Sequence, residues 1–273
     1  VVAPTDADDL VPRILSSAKY RHLDPALVHR VATEAGQRCR DRAQAVKYAK
    51  RKLHQAFGAF LNGSPAPAVH AMIAAVRAGA DPHAAALTAM RTHASAAERV
   101  DWLEPFYQQV GAWCGTPGSV ADLACGLNPL AIPWMRLAPD ASYLAYEIDT
   151  DVVTALAGLD DILPVNVTAS TCDLVAAPPS VSAELTLLLK TVTTLEQQAV
   201  GAAARVLSRV DSDHVVVSLP RGSLSGRREY ADDADAIVGQ VVAGGQYRVA
   251  DRAAFGTEAL YHLVPDGDGA SPR

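Results

Sequence analysis

From residue 119 to residue 264 short apolar runs alternate with segments of helical spacing, and this alternation constrains the fold more than any other feature of the chain. The runs fall at 119–124, 142–148, 162–168, 184–189, 213–219, 246–250 and 258–264, and helices are expected over 129–137, 150–157, 194–209 and 231–243. Strands alternating with helices predict a mainly parallel sheet covered on both faces. The last two runs have no helix between them and Gly256 lies in their connection, so they should pair as an antiparallel hairpin. The expected class is α/β with a Rossmann-like sheet of seven strands.

The first run leads into Asp122-Leu-Ala-Cys-Gly-Leu-Asn-Pro-Leu-Ala131. This reads as a buried strand, a tight turn at Gly126, and a helix with a proline in its first turn. In an open α/β sheet such a turn is where an anionic or nucleoside ligand sits. Gly126 has no Cβ to hold the ligand away from the backbone. The dinucleotide pattern G-x-G-x-x-G is absent, since position 124 is Ala and position 129 is Pro. Glu147, about 20 residues on, follows the second strand, where an acid can accept both hydroxyls of a ribose. Asp173 and Leu174 follow the third strand, within reach of an adenine edge. A single glycine with two such acids fits a nucleoside cofactor better than a nicotinamide dinucleotide. The fourth strand ends in Lys190, and a lysine closing a buried strand must emerge at a cavity mouth or snorkel to water.

The N-terminal third has a different texture. Spacing predicts helices broken at Asp24-Pro25 and at the turn-rich 62–67 and 79–82, so residues 1–95 should form an all-helical domain before a second domain over 96–273. One further helix is expected over 96–114. Net charge is −6, yet residues 12–61 hold eleven Lys/Arg against three acids. Arg38, Arg42, Lys47, Lys50, Arg51, Lys52 and His54 interleave with apolar positions, which describes an amphipathic helix with a cationic face and points to a phosphate-rich partner. The four cysteines are scattered without a C-x-x-C pair, so neither a metal site nor a disulfide framework is expected. No apolar run approaches the ~18 residues needed to span a bilayer and no signal pattern opens the chain, so no membrane partner and a cytoplasmic location are expected.

Four segments carry a family resemblance: Lys50-Arg-Lys-Leu-His-Gln-Ala-Phe-Gly-Ala-Phe-Leu61, Glu98-Arg99, the 122–131 block with Pro133-Trp-Met135, and Leu187-Leu-Leu-Lys190. Together they resemble the aminoglycoside-resistance 16S rRNA methyltransferases that act on N7 of a decoding-site guanine. The resemblance implies a class I methyltransferase fold using S-adenosylmethionine, with a helical N-terminal domain docking on the 30S subunit and the enzyme working as a monomer. It implies that Arg99 clamps the cofactor carboxylate and that Ala124 and Gly126 line its methionine part. Glu147 would hold the ribose, where the family more often has Asp, with Ile148 beside it. Asp173 and Leu174 would flank the adenine, and Leu189 and Lys190 would face the methyl group and the target base. Arg221, Arg227 and Arg228 would contact RNA in a loop where Gly222 stands in place of a frequent family lysine.

Guanine N7 has a free lone pair, so its methylation requires positioning and electrostatics rather than a general base. His54, His93 and His214 are accordingly read as structural or RNA-contacting. Two alternatives remain at the level of sequence: methylation of a neighbouring adenine N1, or a non-catalytic RNA-binding protein built on a methyltransferase fold.

Overall fold

The computed structural model describes residues 6–58, 63–221 and 231–267. Three helices open it: α1 (Ala7–Leu15), α2 (Pro25–Arg38) and α3 (Arg42–Phe57). Asp24 caps α2 by accepting the amide of Ala26 at 2.9 Å, with Pro25 in the first turn. Gly36 is buried within this helix, two residues before its end at Arg38. The apolar faces of α1–α3 meet in a core of their own, built on Leu10, Ile14, Leu27, Val28, Leu53 and Phe57.

Helices α4 (Ala66–Arg77) and α5 (Pro82–Met90) do not join that core. Val69, Met72, Ile73 and Met90 pack into the cluster that covers one face of the sheet. The expected helical segment therefore consists of a three-helix unit and a helix pair that belongs to the sheet's packing. The single helix expected over 96–114 is three pieces: α6 (Ala94–Ala97), a 3₁₀ turn (Val100–Trp102) and α7 (Leu103–Cys114). Pro105 has no N–H to donate one turn back, so the α-helix has to restart just ahead of it.

Strands β1 (Ser119–Leu123), β2 (Ala141–Glu147), β3 (Val165–Thr171), β4 (Val181–Leu189), β5 (Val210–Pro220), β6 (Tyr247–Phe255) and β7 (Glu258–Pro265) form one sheet in the order β3-β2-β1-β4-β5-β7-β6. The first five are parallel, and β7 runs antiparallel to both β5 and β6. All seven expected runs are strands. The third begins three residues later than expected, because Ile162 and Leu163 complete the preceding turn on Leu159 O. At the hairpin between β6 and β7 Gly256 has φ +52°, and a Cβ there would lie 2.4 Å from the Trp102 indole.

Two more of the expected helices differ. Residues 128–134 form a 3₁₀ stretch (Asn128–Trp134), because Pro133 has no N–H to donate to the Pro129 carbonyl. The 194–209 helix is split into α9 (Val192–Gln198) and α10 (Ala202–Leu207) at left-handed Gly201, with Glu196 accepting the amides of Gly201 and Ala203 at 2.7 and 2.9 Å. Helices α8 (Thr150–Leu156) and α11 (Ala231–Val242) complete the layers. Among the described residues no helix is long and apolar enough to cross a membrane.

The three-helix unit is stitched to the carboxyl ends of β2 and β3. Asp24 donates its amide to Ile148 O, and Thr150 donates its amide to His22 O, both at 2.8 Å. Ile148 packs against the three-helix core.

Candidate active site

The order of the sheet reverses at β1, which pairs with β2 on one side and β4 on the other, and this is where an open α/β sheet leaves a crevice. A cavity of about 1210 Å³, open mouth included, lies there. It brings together every residue expected from the sequence to touch a cofactor: Arg99, Ala124, Gly126, Glu147, Ile148, Asp173, Leu174 and Leu189, with Lys190 beside them. His22, Leu23 and Phe57 of the three-helix unit form part of its wall, which spacing in the sequence could not have shown.

The turn after β1 carries two left-handed residues, Ala124 (φ +59°) and Gly126 (φ +52°). For alanine this conformation costs on the order of 1 kcal/mol, a strain typical of ligand sites. A Cβ built on Gly126 would meet nothing within 4 Å, so the space above it is open cavity. The Gly126 amide donates to Glu147 Oε2 at 2.7 Å, and Ile148 donates to Glu147 Oε1 at 2.8 Å. Burial pushes the Glu147 carboxyl above its ordinary range, against the pull of these amides.

Beneath the turn runs a buried polar chain. Asp122 Oδ2 accepts the Tyr143 hydroxyl at 2.6 Å and the Asn128 amide at 2.8 Å. Asn128 Oδ1 accepts from Arg99 Nη1 at 2.9 Å and from the Tyr107 hydroxyl at 2.5 Å. Arg99 also makes a two-point contact with Glu258, at 2.6 and 3.1 Å, and its guanidinium lies 4.7 Å from the centre of the Phe106 ring. Burial alone would lower the Arg99 pKa, but Glu258 more than offsets it and the group is held cationic. Burial likewise pushes Glu258 up, and Arg99, helped by Lys190 and the Ser218 hydroxyl, brings it below the ordinary carboxylate range. Asp122 Oδ1 has no hydrogen-bond partner among the described residues, and burial lifts the Asp122 carboxyl to about 6. Asn128 and Glu258, the two side chains that hold Arg99, were not expected from the sequence. The only signal for Asn128 was its place in the 122–131 block, and Glu258, lying 159 residues from Arg99, left none.

Lys190 closes β4 in the left-handed region at φ +56°. Its amide donates to the Ser218 carbonyl and hydroxyl, both at 3.0 Å. Its ammonium donates to Glu98 at 2.7 Å and lies 3.8 Å from Glu258. The lysine thus emerges at the cavity mouth with its charge matched on two sides. Asp173 is held by a two-point contact from Arg30 of α2, again a partner that the sequence did not reveal.

The expected RNA contacts lie elsewhere. Arg42, Lys47, Arg51 and His54 are exposed on α3, Lys50 and Lys52 are half-buried on the same helix, and Arg38 is exposed at the end of α2. Part of this charge is already engaged: Arg38 and Lys52 pair with Glu34, Arg42 pairs with Asp9, and Lys19 contacts His54. Arg221 is exposed just beyond β5, its amide donating to Thr257 O at 2.7 Å. Arg227 and Arg228 lie outside the described residues. Among the described residues Cys114, His214 and His262 also converge, with their ligand-type atoms within 4.8 Å. The two imidazole nitrogens stand 2.9 Å apart, a hydrogen-bond separation, whereas ligands of a tetrahedral zinc are spaced at roughly 3.3 Å.

The donor set fits an adenosine-type cofactor with an amino-acid tail: an acid for a ribose, an acid for an exocyclic amine, an arginine for a carboxylate, and apolar walls between them. Comparison with known proteins bears on the same point. Residues 16–262 match the profile of the family described as ribosomal RNA methyltransferase (FmrO). The chain is 58% identical over 252 residues to a 16S rRNA (guanine(1405)-N(7))-methyltransferase of Micromonospora olivasterospora, covering 92% of this chain and 86% of that one. It is 31% identical to the protein of the same name from Serratia marcescens, covering 95% and 99%. Among solved structures it is similar to the 16S rRNA methyltransferase RmtF in complex with S-adenosyl-L-homocysteine, with TM-score 0.82, 27% identity, and 95% and 98% of the two chains covered. It is also similar to the 16S rRNA methylase RmtB, with TM-score 0.78, 29% identity, and 96% and 99% covered.

Proposed function

The chain belongs to the ribosomal RNA methyltransferase (FmrO) family and is an S-adenosylmethionine-dependent 16S rRNA (guanine-N7) methyltransferase, and from that premise we propose how its own residues serve the reaction. The substrate form is the assembled 30S subunit, reached in the cytoplasm by a monomer, and the modified base confers aminoglycoside resistance. N7-methylguanine has lost an acceptor and gained a positive charge, so a cationic drug that uses that edge meets both a clash and a repulsion. The single observation that carries the assignment of roles is the convergence of Arg99, Gly126, Glu147, Asp173 and Lys190 on one cavity at the reversal of the sheet.

Bound S-adenosylmethionine would supply an electrophilic sulfonium methyl group. Arg99 has guanidinium N–H groups beyond those used by Glu258 and Asn128, and these would hold the carboxylate of the amino-acid tail. Glu147 would accept the ribose hydroxyls, beside Ile148. Asp173 and Leu174 would flank the adenine, with Ala124 and Leu189 against the methionine part. Lys190 would position the guanine or its flanking phosphate at the mouth, exchanging its contact with Glu98 for the substrate. Because N7 carries no proton to remove, no general base is assigned. Residues 1–95 would supply docking, with the exposed cations of α2 and α3 on phosphates and Arg221, Arg227 and Arg228 nearer the target nucleotide.

Incubating 30S subunits with labelled cofactor and mapping the modified base by borohydride-induced cleavage tests this reading. A single guanine modified at N7 in 30S subunits is expected. Lys190→Ala should bind S-adenosylmethionine calorimetrically as wild type does, yet transfer methyl at least about tenfold more slowly, the size of effect usual when a positioning group is removed. Equal loss of binding and transfer would remove Lys190 from that role, and modification at an adenine or on no base would overturn the proposal.

A further inference from the structure

Arg30 lies in the basic N-terminal segment, but its charge faces inward. Nε donates to Asp173 Oδ2 at 2.6 Å, and Nη2 donates to Asp173 Oδ1 at 3.2 Å and to Gln198 Oε1 of α9 at 2.8 Å. Asp173 is 6% exposed, and its Oδ1 also accepts the amides of Val175 and Ala176 at 3.0 and 3.4 Å. Among the described residues Oδ1 thus receives three donors and Oδ2 one. A carboxylate offers about four lone-pair positions, so Oδ2 keeps a free acceptor while the two-point guanidinium contact prevents the group from rotating. Asp173 and Gln198 both line the cavity.

We propose that Arg30 is a positioning residue for purine recognition: it orients Asp173 so that the remaining lone pair of Oδ2 faces the 6-amino group of the cofactor's adenine, making the helical unit a working part of the base-specificity site. This rests on the reading of Asp173 as the partner of that amine. A purine with a carbonyl at position 6 would present an acceptor to an acceptor in a buried place, and a site built to hydrogen-bond one group rejects the other strongly. Without Arg30 the carboxylate can turn away, so the rejection relaxes. A merely structural contact would not behave this way. Its loss would weaken every ligand of the cavity by one common factor.

The test is calorimetric binding of S-adenosylhomocysteine and S-inosylhomocysteine to the full chain as wild type, Arg30→Ala, Arg30→Lys and Asp173→Asn. Wild type should prefer the adenosine ligand by more than about tenfold. Arg30→Ala should shrink that preference by about tenfold, and Arg30→Lys, which keeps the charge without the two-point geometry, should recover part of it. Asp173→Asn should erase or invert it. If Arg30→Ala weakens both ligands equally, or changes neither, while Asp173→Asn still removes the preference, the role of Arg30 is overturned and that of Asp173 stands. A preference that survives Asp173→Asn overturns the underlying reading of the acid itself. Should Arg30→Ala fail to fold, Arg30→Gln, which retains a single-point donor without charge, carries the same comparison.

Discussion

Asp122 shows how much a single side chain can hold in tension. It is buried, its Oδ2 is engaged by Tyr143 and Asn128, and its Oδ1 has no hydrogen-bond partner among the described residues. Burial raises its folded-state pKa to about 6, against about 3.9 in an unfolded chain. A carboxyl whose folded pKa lies above its unfolded value stabilises the fold while protonated. That contribution is complete below about pH 4 and is lost as the pH rises through about 6, a change of about 3 kcal/mol. Asp122→Asn does not titrate, so the stability of wild type relative to Asp122→Asn should fall by about 2 kcal/mol of this between pH 4 and pH 6.5, read from thermal melts across the range. A difference that stays flat with pH would show that this carboxyl ionises as an ordinary surface acid does. At this scale the sequence was legible where a residue lines the cavity, as with Gly126, Glu147 and Lys190, because such residues stand at strand ends that spacing can locate. It was mute about Asn128, Glu258 and Arg30, whose partners are other side chains distant in the chain.

At the scale of elements, strands were read more reliably than helices. Each apolar run became a strand, since a buried parallel strand needs only a short apolar run and cross-strand pairing does the rest. The helices failed where one residue interrupts the hydrogen-bond ladder: Pro133 turns 128–134 into a 3₁₀ stretch, Pro105 forces a restart at Leu103, and Gly201 divides α9 from α10. The restart is useful, because it sets Arg99 at a bend from which its guanidinium enters the site. Helix α3 matches its expected pattern closely. Asp41 caps it by accepting the amide of Gln44 at 2.9 Å, and Ala45, Ala49, Leu53 and Phe57 recur every four residues on the buried face. The opposite face carries Lys47 and Arg51, both exposed. Replacing this pair with alanine should flatten the dependence of log binding constant on log salt for 30S subunits by about 1 for each phosphate no longer neutralised, leaving cofactor affinity unchanged. Binding titrations at several salt concentrations check this, and an unaltered slope would take α3 off the rRNA.

At the scale of the whole molecule, the three-helix unit and the sheet meet at the cofactor cavity. Asp24 and Thr150 bond across that junction, Arg30 reaches Asp173, and Phe57 at the end of α3 forms part of the cavity wall. A ligand that binds the closed arrangement lowers the population of openings at this seam. Saturating S-adenosylhomocysteine should therefore slow hydrogen exchange at the amides of both Asp24 and Thr150, although they lie on different units. Protection of Thr150 alone would mean that the units open independently. The sequence by itself determined the α/β class, the number of strands, the residues that line the cavity at the strand ends and the cationic character of α3. These follow from patterns within one element or from positions at strand ends, where spacing along the chain maps directly onto space. Only the tertiary structure decided that α4 and α5 belong to the sheet, that Arg99 shares its charge with Glu258 and Asn128, and that a helix from the three-helix unit holds Asp173. Each of these joins residues far apart in the chain, 143 positions for Arg30 and Asp173, and no local periodicity records which distant partner a buried charge will find.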